Sequence, residues 1–256
     1  EYETINTTKN VGLFDLTPFS KFEIKSDKAH QELQKICTAN IKQETGRCIY
    51  THMLNPDGGI EADLTVVCIS KNHFRIISSA ATRERDKFHI NKYISKDVEL
   101  MDVTDDLCVL GLFGPKSRDL IKILSKDIFE NNEFKFGTAK YITIERIKIW
   151  AQRLSYVGEL GYELYIEKKD AKKIYELIID KGKNFNLSNC GMHAMDIMRM
   201  ESGFLHWGHD ISPEENQYEA GLTFTISTKK DEDFIGKQAL DKIKNEKNKS
   251  RFAIFT

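Results

Sequence analysis

The sequence lacks most of the short motifs that announce a chemistry by themselves. There is no G-x-G-x-x-G fingerprint and no G-x-x-x-x-G-K-[ST] loop, so the nucleotide folds that depend on them are set aside. A G-x-S-x-G nucleophile elbow and an H-E-x-x-H metal helix are missing as well. No apolar run approaches the roughly 20 residues that span a bilayer, and no signal peptide opens the chain. A charge excess is absent too. Thirty-eight Lys+Arg against 39 Asp+Glu give a formal net charge of −1, without the basic surplus that a general nucleic-acid or membrane-surface binder needs. The lysines are spread out, except between Lys242 and Arg251, where lysine and asparagine alternate on an expected solvated helix end. Prolines number four, and no Pro/Gly/Ser linker divides the chain into independent domains.

Cysteine is sparse and unpaired in pattern. Cys37, Cys48, Cys68, Cys108 and Cys190 make an odd set of 5, and Cys68 and Cys108 lie in apolar runs that suit buried thiols. This reads as a reducing compartment, the cytoplasm or one such as the mitochondrial matrix, with no disulfide framework and no metal site. The seven histidines include His206 and His209 but no helical metal pair. Glu1 in place of methionine leads to the expectation of a processed or excised piece.

What is present reads as α+β, with antiparallel sheets and helices packed on one face. Two apolar segments flank Thr17-Pro18, the second alternating as a strand. A helix follows to Cys37, capped by Ser26 or Asp27, with Ala29, Leu33 and Ile36 on one face. Residues 46–54, 60–69 and 73–78 form a meander whose first turn is Asn55-Pro56-Asp57-Gly58-Gly59. Residues 80–94 read as a helix with Phe88 and Tyr93/Ile94 inward, then strands at 98–104 and 107–113. Gly114-Pro115 opens a helix to Leu124, with the proline in its first turn. Strands follow at 137–150, 152–157 and 162–167, then a helix at 171–181 capped by Asp170 and another at 191–203. A strand at 222–227, a helix at 236–245 and the start of a strand at 252–256 close the chain. No clean repeat shows, although both halves read strand–helix–strand–strand–helix.

Four places can carry chemistry. Asp63 is an acid in an otherwise apolar strand, thirteen positions after Tyr50 across the Asn55–Gly59 turn. Exposed, it simply faces water; buried, its pKa would rise and suit it to proton transfer. The stretch from Tyr156 to Ile166 holds Tyr156, Glu159 and Glu163 around Gly158 and Gly161. It reads as a hairpin tip, or as a carboxylate beside aromatic rings fit for a flat heterocycle with paired N–H donors. Arg199 sits among apolar neighbours on a helix and needs an anionic or carbonyl partner, which Asp196 or Glu201 would already supply. Trp207-Gly208-His209-Asp210 follows, and alone could be packing.

The segments GRCIYTHMLNPDGGIEADLTVV, LGLFGPKSRDLI, YVGELGYELYI, AMDIMRMESGFLHWGHDISPEENQYEAGL and FIGKQAL, in that order, cover nearly the whole chain. Together they resemble the tetrahydrofolate-binding domain of the glycine-cleavage T-protein (aminomethyltransferase) family. VGLFDLTPFSKFEI and ELGYELYI are most similar to the folate half of dimethylglycine and sarcosine dehydrogenases. The resemblance implies the T-protein folate-binding fold with ferredoxin-like subdomains over residues 1–250. Residues 251–256 would start a C-terminal barrel that is otherwise missing. It implies tetrahydrofolate-dependent one-carbon transfer, with the family's carboxylate near the reactive folate nitrogens at Asp63. Tyr50, Tyr156, Glu163 and Arg199 match positions that hold the folate, and Trp207 falls where the free T-protein often carries an aromatic residue. The family's Leu-Arg-Leu-Glu is Met198-Arg199-Met200-Glu201 here. The implied partners are small-molecule substrates and an FAD-dependent dehydrogenase domain or subunit, with FAD only there. Methyl transfer to tetrahydrofolate on the same fold, and a folate-binding regulator without catalysis, are the rival readings.

Overall fold

The structure is a computed structural model that describes residues 1–42, 44–245 and 250–253. Helix α1 (Tyr2–Lys9) has no apolar stripe to announce it in the sequence. Tertiary hydrogen bonds hold it instead, as Asn6 Nδ2 donates to Asn186 O and to Ser188 Oγ, both at 2.8 Å. Strands β1 (Val11–Asp15) and β2 (Ser20–Lys25) fill the two segments around Thr17-Pro18. Helix α2 (Ala29–Ile36) buries Ala29, Leu33 and Ile36 as its spacing requires. Its N-cap is Lys28, not Ser26 or Asp27; Ser26 Oγ instead accepts from Lys28 N in the preceding turn.

β3 (Cys48–Leu54), β4 (Ile60–Ser70) and β5 (His73–Ser78) make the expected meander. In α3 (Arg83–Tyr93) the buried residues are Asp86, His89 and Ile90, whereas Phe88, expected inward, is 72% exposed. The helix has few apolar residues, so its polar contacts rather than an aromatic set its rotation. β6 (Leu100–Asp102) and β7 (Leu107–Phe113) follow. α4 (Ser117–Leu124) starts after Pro115, which precedes the helix instead of entering its first turn. The expected strand at 137–150 is a hairpin of β8 (Ala139–Ile144) and β9 (Ile147–Gln152). It reverses at Glu145 and Arg146, both at positive φ.

Of the strand expected at 152–157 only Gln152 belongs to one, as the end of β9; Arg153 N still donates to Thr138 O at 2.8 Å, its Nη1 donates to Phe134 O at 2.6 Å, and the chain then leaves the ladder. β10 (Gly161–Glu167) leads into α5 (Lys168–Gly182), where Asp170 lies in the first turn and Glu167 is the N-cap. β11 (Leu187–Cys190), absent from the sequence expectation, precedes α6 (Met192–Glu201). The expected strand at 222–227 is a tight helical turn, Thr223–Thr225, closed by Thr225 Oγ1 donating to Leu222 O at 2.7 Å. α7 (Lys237–Lys244) is the last helix. Residues 246–249 of the lysine-rich tail and 254–256 of the last apolar segment lie outside the described residues.

The chain forms two compact units that interleave in sequence. The first takes residues 1–18 and 104–204 and holds a six-stranded sheet in the order β11-β1-β7-β10-β9-β8. Its pairs are antiparallel apart from β1 with β11, which run parallel. Leu112, Tyr162, Leu164 and Ile166 face α4 and α5 in one apolar cluster with Leu120, Ile121, Ile174 and Ile178. The second unit takes 19–103 and the described part of 205–256, with a five-stranded sheet in the order β3-β4-β5-β2-β6. Met53, Ala62, Leu64 and Val66 face α2 and α3 across a cluster that includes Leu33, Ile36 and Ile90. In each unit the α+β expectation holds, with these helices on one face of a sheet. No helix of the described residues is long and apolar enough to cross a membrane.

Candidate functional site

In the second unit the chemistry gathers on the β3–β4 face turned away from α2. Asn55 Oδ1 closes the connecting turn by accepting from Asp57 N and Gly59 N, at 3.0 and 2.9 Å. Gly59 is obligatory there, since a Cβ would lie 1.8 Å from Pro213 O. An irregularity at Met53/Leu54 then sets the register so that His52 stands directly opposite Asp63, and Tyr50 opposite Thr65. Tyr50 and Asp63, expected to face one another, share the face on a diagonal, and the Tyr50 hydroxyl donates to the Asp63 carboxylate.

The Asp63 side chain is only 15% exposed. Burial pushes its carboxyl up to about 7, against the Tyr50 hydrogen bond and with help from the charge of Asp86. Asp86 on α3 is itself raised to about 6, by burial first, while Thr82 Oγ1 donates to it at 2.6 Å. His52, fully buried, is pushed down to about 3 by burial, so it stays neutral. Its ring meets Tyr50 edge-on at 5.2 Å, and Tyr50 lies 6.1 Å from the exposed Phe224 ring. Trp207 donates its indole N–H to Ile60 O at 2.8 Å and carries the Arg85 guanidinium over its face at 5.1 Å. Arg85 is in turn paired with Glu61.

In the first unit Glu163 lies in β10 between Gly111 on β7 and Gln152 on β9. Alternation puts Tyr162 and Leu164 into the helix-facing core and Glu163 with Tyr165 on the other face. Burial raises the Glu163 carboxyl to about 7, opposed by Tyr165 Oη donating to Oε2 at 2.9 Å. Tyr156 stacks on Phe204 at 5.9 Å with 15° between the rings. Gly158 holds the loop at φ 75°, where a Cβ would meet Ser202 Oγ at 2.1 Å. Glu159 is a loop residue whose backbone oxygen accepts from Ser155 Oγ at 2.5 Å. Arg199 is 4% exposed; its Nε donates to Asp196 Oδ1 at 2.8 Å and its Nη1 to Phe204 O at 3.1 Å. A groove of about 290 Å³ runs along residues 153–161, but neither Tyr156 nor Glu163 lines it. Among the described residues no group of three His, Cys, Asp or Glu side chains could hold a metal ion.

Residues 1–230 match the family model of the GCVT N-terminal domain. The chain belongs to this family. It is 36% identical over 100% of its length to rat (Rattus norvegicus) dimethylglycine dehydrogenase, mitochondrial, and spans 30% of that protein. With an aminomethyltransferase of Anoxybacillus flavithermus it shares 32% identity over 96% of the chain and 67% of the relative. The crystal structure of glycine cleavage system aminomethyltransferase T from Bartonella henselae has the same fold, at TM-score 0.83 and 22% identity over 95% of this chain and 66% of that one. The resemblance read from the segments is thus borne out at the level of family and fold.

Within this GCVT family chain, sequence reasoning passed over His52 and Arg85. His52 stands in an apolar strand beside two recognisable residues, and its importance depends on the β3–β4 register. Arg85 is one of several charges on a polar helix, and only the fold shows it stacked on Trp207.

Proposed function

We propose that this domain transfers a one-carbon unit to tetrahydrofolate, forming 5,10-methylenetetrahydrofolate from a carbon released from glycine or an N-methylated glycine. The observation that carries this reading is Asp63, a carboxyl held in a water-poor position with its titration moved up to about 7. When bound, tetrahydrofolate supplies a weakly basic secondary amine that takes up an electrophilic carbon. The residues present fit such a ligand. A buried carboxyl near neutrality can both stabilise positive charge on an arriving iminium carbon and move a proton. Tyr50 holds that carboxyl by its hydroxyl and offers a ring edge. In the first unit, Glu163 is assigned to the pterin N3–H and 2-amino group, a planar bidentate match. Tyr156 is assigned to ring packing and Arg199 to a pterin acceptor or the folate tail. Trp207 is given a wall position, with its ring already braced by Arg85.

Residues 1–250 then act as the folate-binding domain, in a cytoplasmic or mitochondrial-matrix setting. The carbon would come from a flavin-dependent dehydrogenase partner, as a domain or a subunit. The names of the relatives support this, since dimethylglycine dehydrogenase is matched over 30% of its length.

The test is calorimetric titration with tetrahydrofolate alongside methylene transfer, for the wild type and Asp63→Asn. Binding within a few-fold and transfer reduced by about 10²–10⁴-fold are expected for the variant. Unchanged transfer removes Asp63 from the chemistry, and a wild type that binds no tetrahydrofolate overturns the reading. A 5-methyl product instead of 5,10-methylene would favour the methyltransferase rival.

A further inference from the structure

We propose that His52 is a positioning residue for Asp63, accepting the carboxyl proton of that acid on its buried Nε2 and so fixing the acid's orientation and protonation. The inference rests on Asp63 acting in the proposed one-carbon transfer. It starts from an unmet hydrogen-bonding position. His52 Nε2 is buried without a partner and lies 3.8 Å from Asp63 Oδ1, the nearest group of opposite function across the β3–β4 pair.

The other side of the ring settles which nitrogen carries the proton. Thr225 Oγ1 gives its own proton to Leu222 O at 2.7 Å, which leaves its lone pairs to accept. His52 Nδ1 stands 2.9 Å from that oxygen and 3.1 Å from Gln217 Nε2, but the two protons of that amide go to Thr225 Oγ1 at 2.6 Å and to Thr38 Oγ1 at 3.1 Å, so it has none left for Nδ1. Nδ1–H therefore donates to Thr225, and Nε2 is a bare acceptor aimed at Asp63. A neutral imidazole in that tautomer cannot pair with a carboxylate oxygen but can accept from a carboxylic acid. The two groups are matched in charge state as well: burial keeps the ring neutral and favours the neutral acid. A gap of 3.8 Å closes by a small rotation of the Asp63 side chain, and such contacts commonly tighten only when substrate is bound.

The other groups bearing on the pair are few. Tyr50 on β3 donates to Asp63, and Asp86 on α3 adds a charge that disfavours ionisation. Arg85 and Glu61 act on Asp86 in turn, and the 217–225 segment presents only the neutral Gln217 and Thr225 to the ring. A histidine that merely filled the core would need none of this ordering of its tautomer.

The first experiment is ¹⁵N NMR of the histidine-labelled protein without folate. His52 is expected to be the Nδ1–H tautomer at every pH from 5 to 8, with its Nε2 resonance stepping once near pH 7 as Asp63 titrates. That step should vanish in Asp63→Asn. A flat Nε2 resonance, or a proton on Nε2, overturns the proposal. The second experiment compares His52→Leu and His52→Gln with the wild type. For His52→Leu, tetrahydrofolate affinity within about twofold, kcat lower by about tenfold and a pH–rate midpoint moved to the acid side by roughly half a unit are expected, with His52→Gln restoring most of both. Loss of kcat with an unmoved midpoint overturns the proposal in favour of packing alone. If His52→Leu does not fold, the resonance test and His52→Gln decide. Absence of tetrahydrofolate binding by the wild type would sink the proposed function, and the resonance test would still decide the pairing.

Discussion

Asp63 and Glu163 both have carboxyls raised to about 7, chiefly by burial, and each has one tyrosine hydroxyl opposing the rise. The roles assigned to them differ in the charge required. A pterin edge with two N–H donors calls for an ionised Glu163, so tetrahydrofolate binding should strengthen as pH rises from 6 to 8, as titration calorimetry at the two pH values would show. Glu163→Gln replaces a charged acceptor by a neutral amide and should weaken binding by about 1.5–3 kcal/mol at pH 8. An affinity independent of both pH and substitution would remove Glu163 from the ligand. At this scale the sequence was informative where a residue stands out from its own neighbours, as Asp63 does in an apolar strand. It was silent on His52, whose partner is eleven positions away and whose tautomer is set by Thr225 and Gln217 far along the chain.

At the scale of elements, the β3–β4 pair depends on one irregularity. Leu54 pairs with Ile60, but Met53 pairs with Ala62 and His52 with Asp63. Without that slip the pairing would bring Thr51 opposite Asp63, and every side chain of β3 would change face relative to β4. The chemistry of the hairpin is thus a property of its turn as much as of its strands. Gly59→Ala places a methyl group against the Pro213 carbonyl and should destabilise the protein by about 1–3 kcal/mol, measured by urea unfolding. A stability equal to the wild type would mean that the turn yields freely. The meander was legible because turn chemistry and alternation agree in residues 46–78. α1 was not legible, because YETINTTK offers no periodic apolar face and its buried Asn6 and Thr7 are held by partners distant in sequence. The strand expected at 152–157 stops almost at once, since the pairing of β9 with β8 ends at Arg153 and Thr138 and the chain turns into the loop held by Gly158.

Taken across the molecule, buried acids divide into two groups with opposite effects on stability. Asp63, Glu163 and Asp86 have folded values raised above the unfolded ones, so their favourable contribution is complete below the unfolded carboxyl range of about pH 4 and is lost as pH rises from there through about 6 to 7. Glu23 is the reverse case. Burial works against its charge, but the hydrogen bond from His73 and the Arg75 guanidinium hold it well below the usual carboxylate range. Its contribution is present above about pH 4.5 and fades as pH falls. Stability should therefore peak at about pH 4 and decline up to about pH 7, and Asp63→Asn should flatten the decline above pH 5 by on the order of 1–3 kcal/mol. Thermal melts of both proteins at pH 5 and 8 check this; parallel declines would show that Asp63 is not strained when ionised.

The parallel pairing of β1 with β11 joins Val11 to Leu187 and Phe14 to Cys190. The second unit's meander can close over neighbouring segments early, whereas β1 finds β7 for one edge about 100 residues on and β11 for the other more than 170 residues downstream. At about 5–20 residues per second of synthesis, that interval is on the order of ten to thirty seconds. During that time the outer edge of the apolar strand VGLF has no partner, and its backbone N–H and C=O groups stay open to any other extended segment.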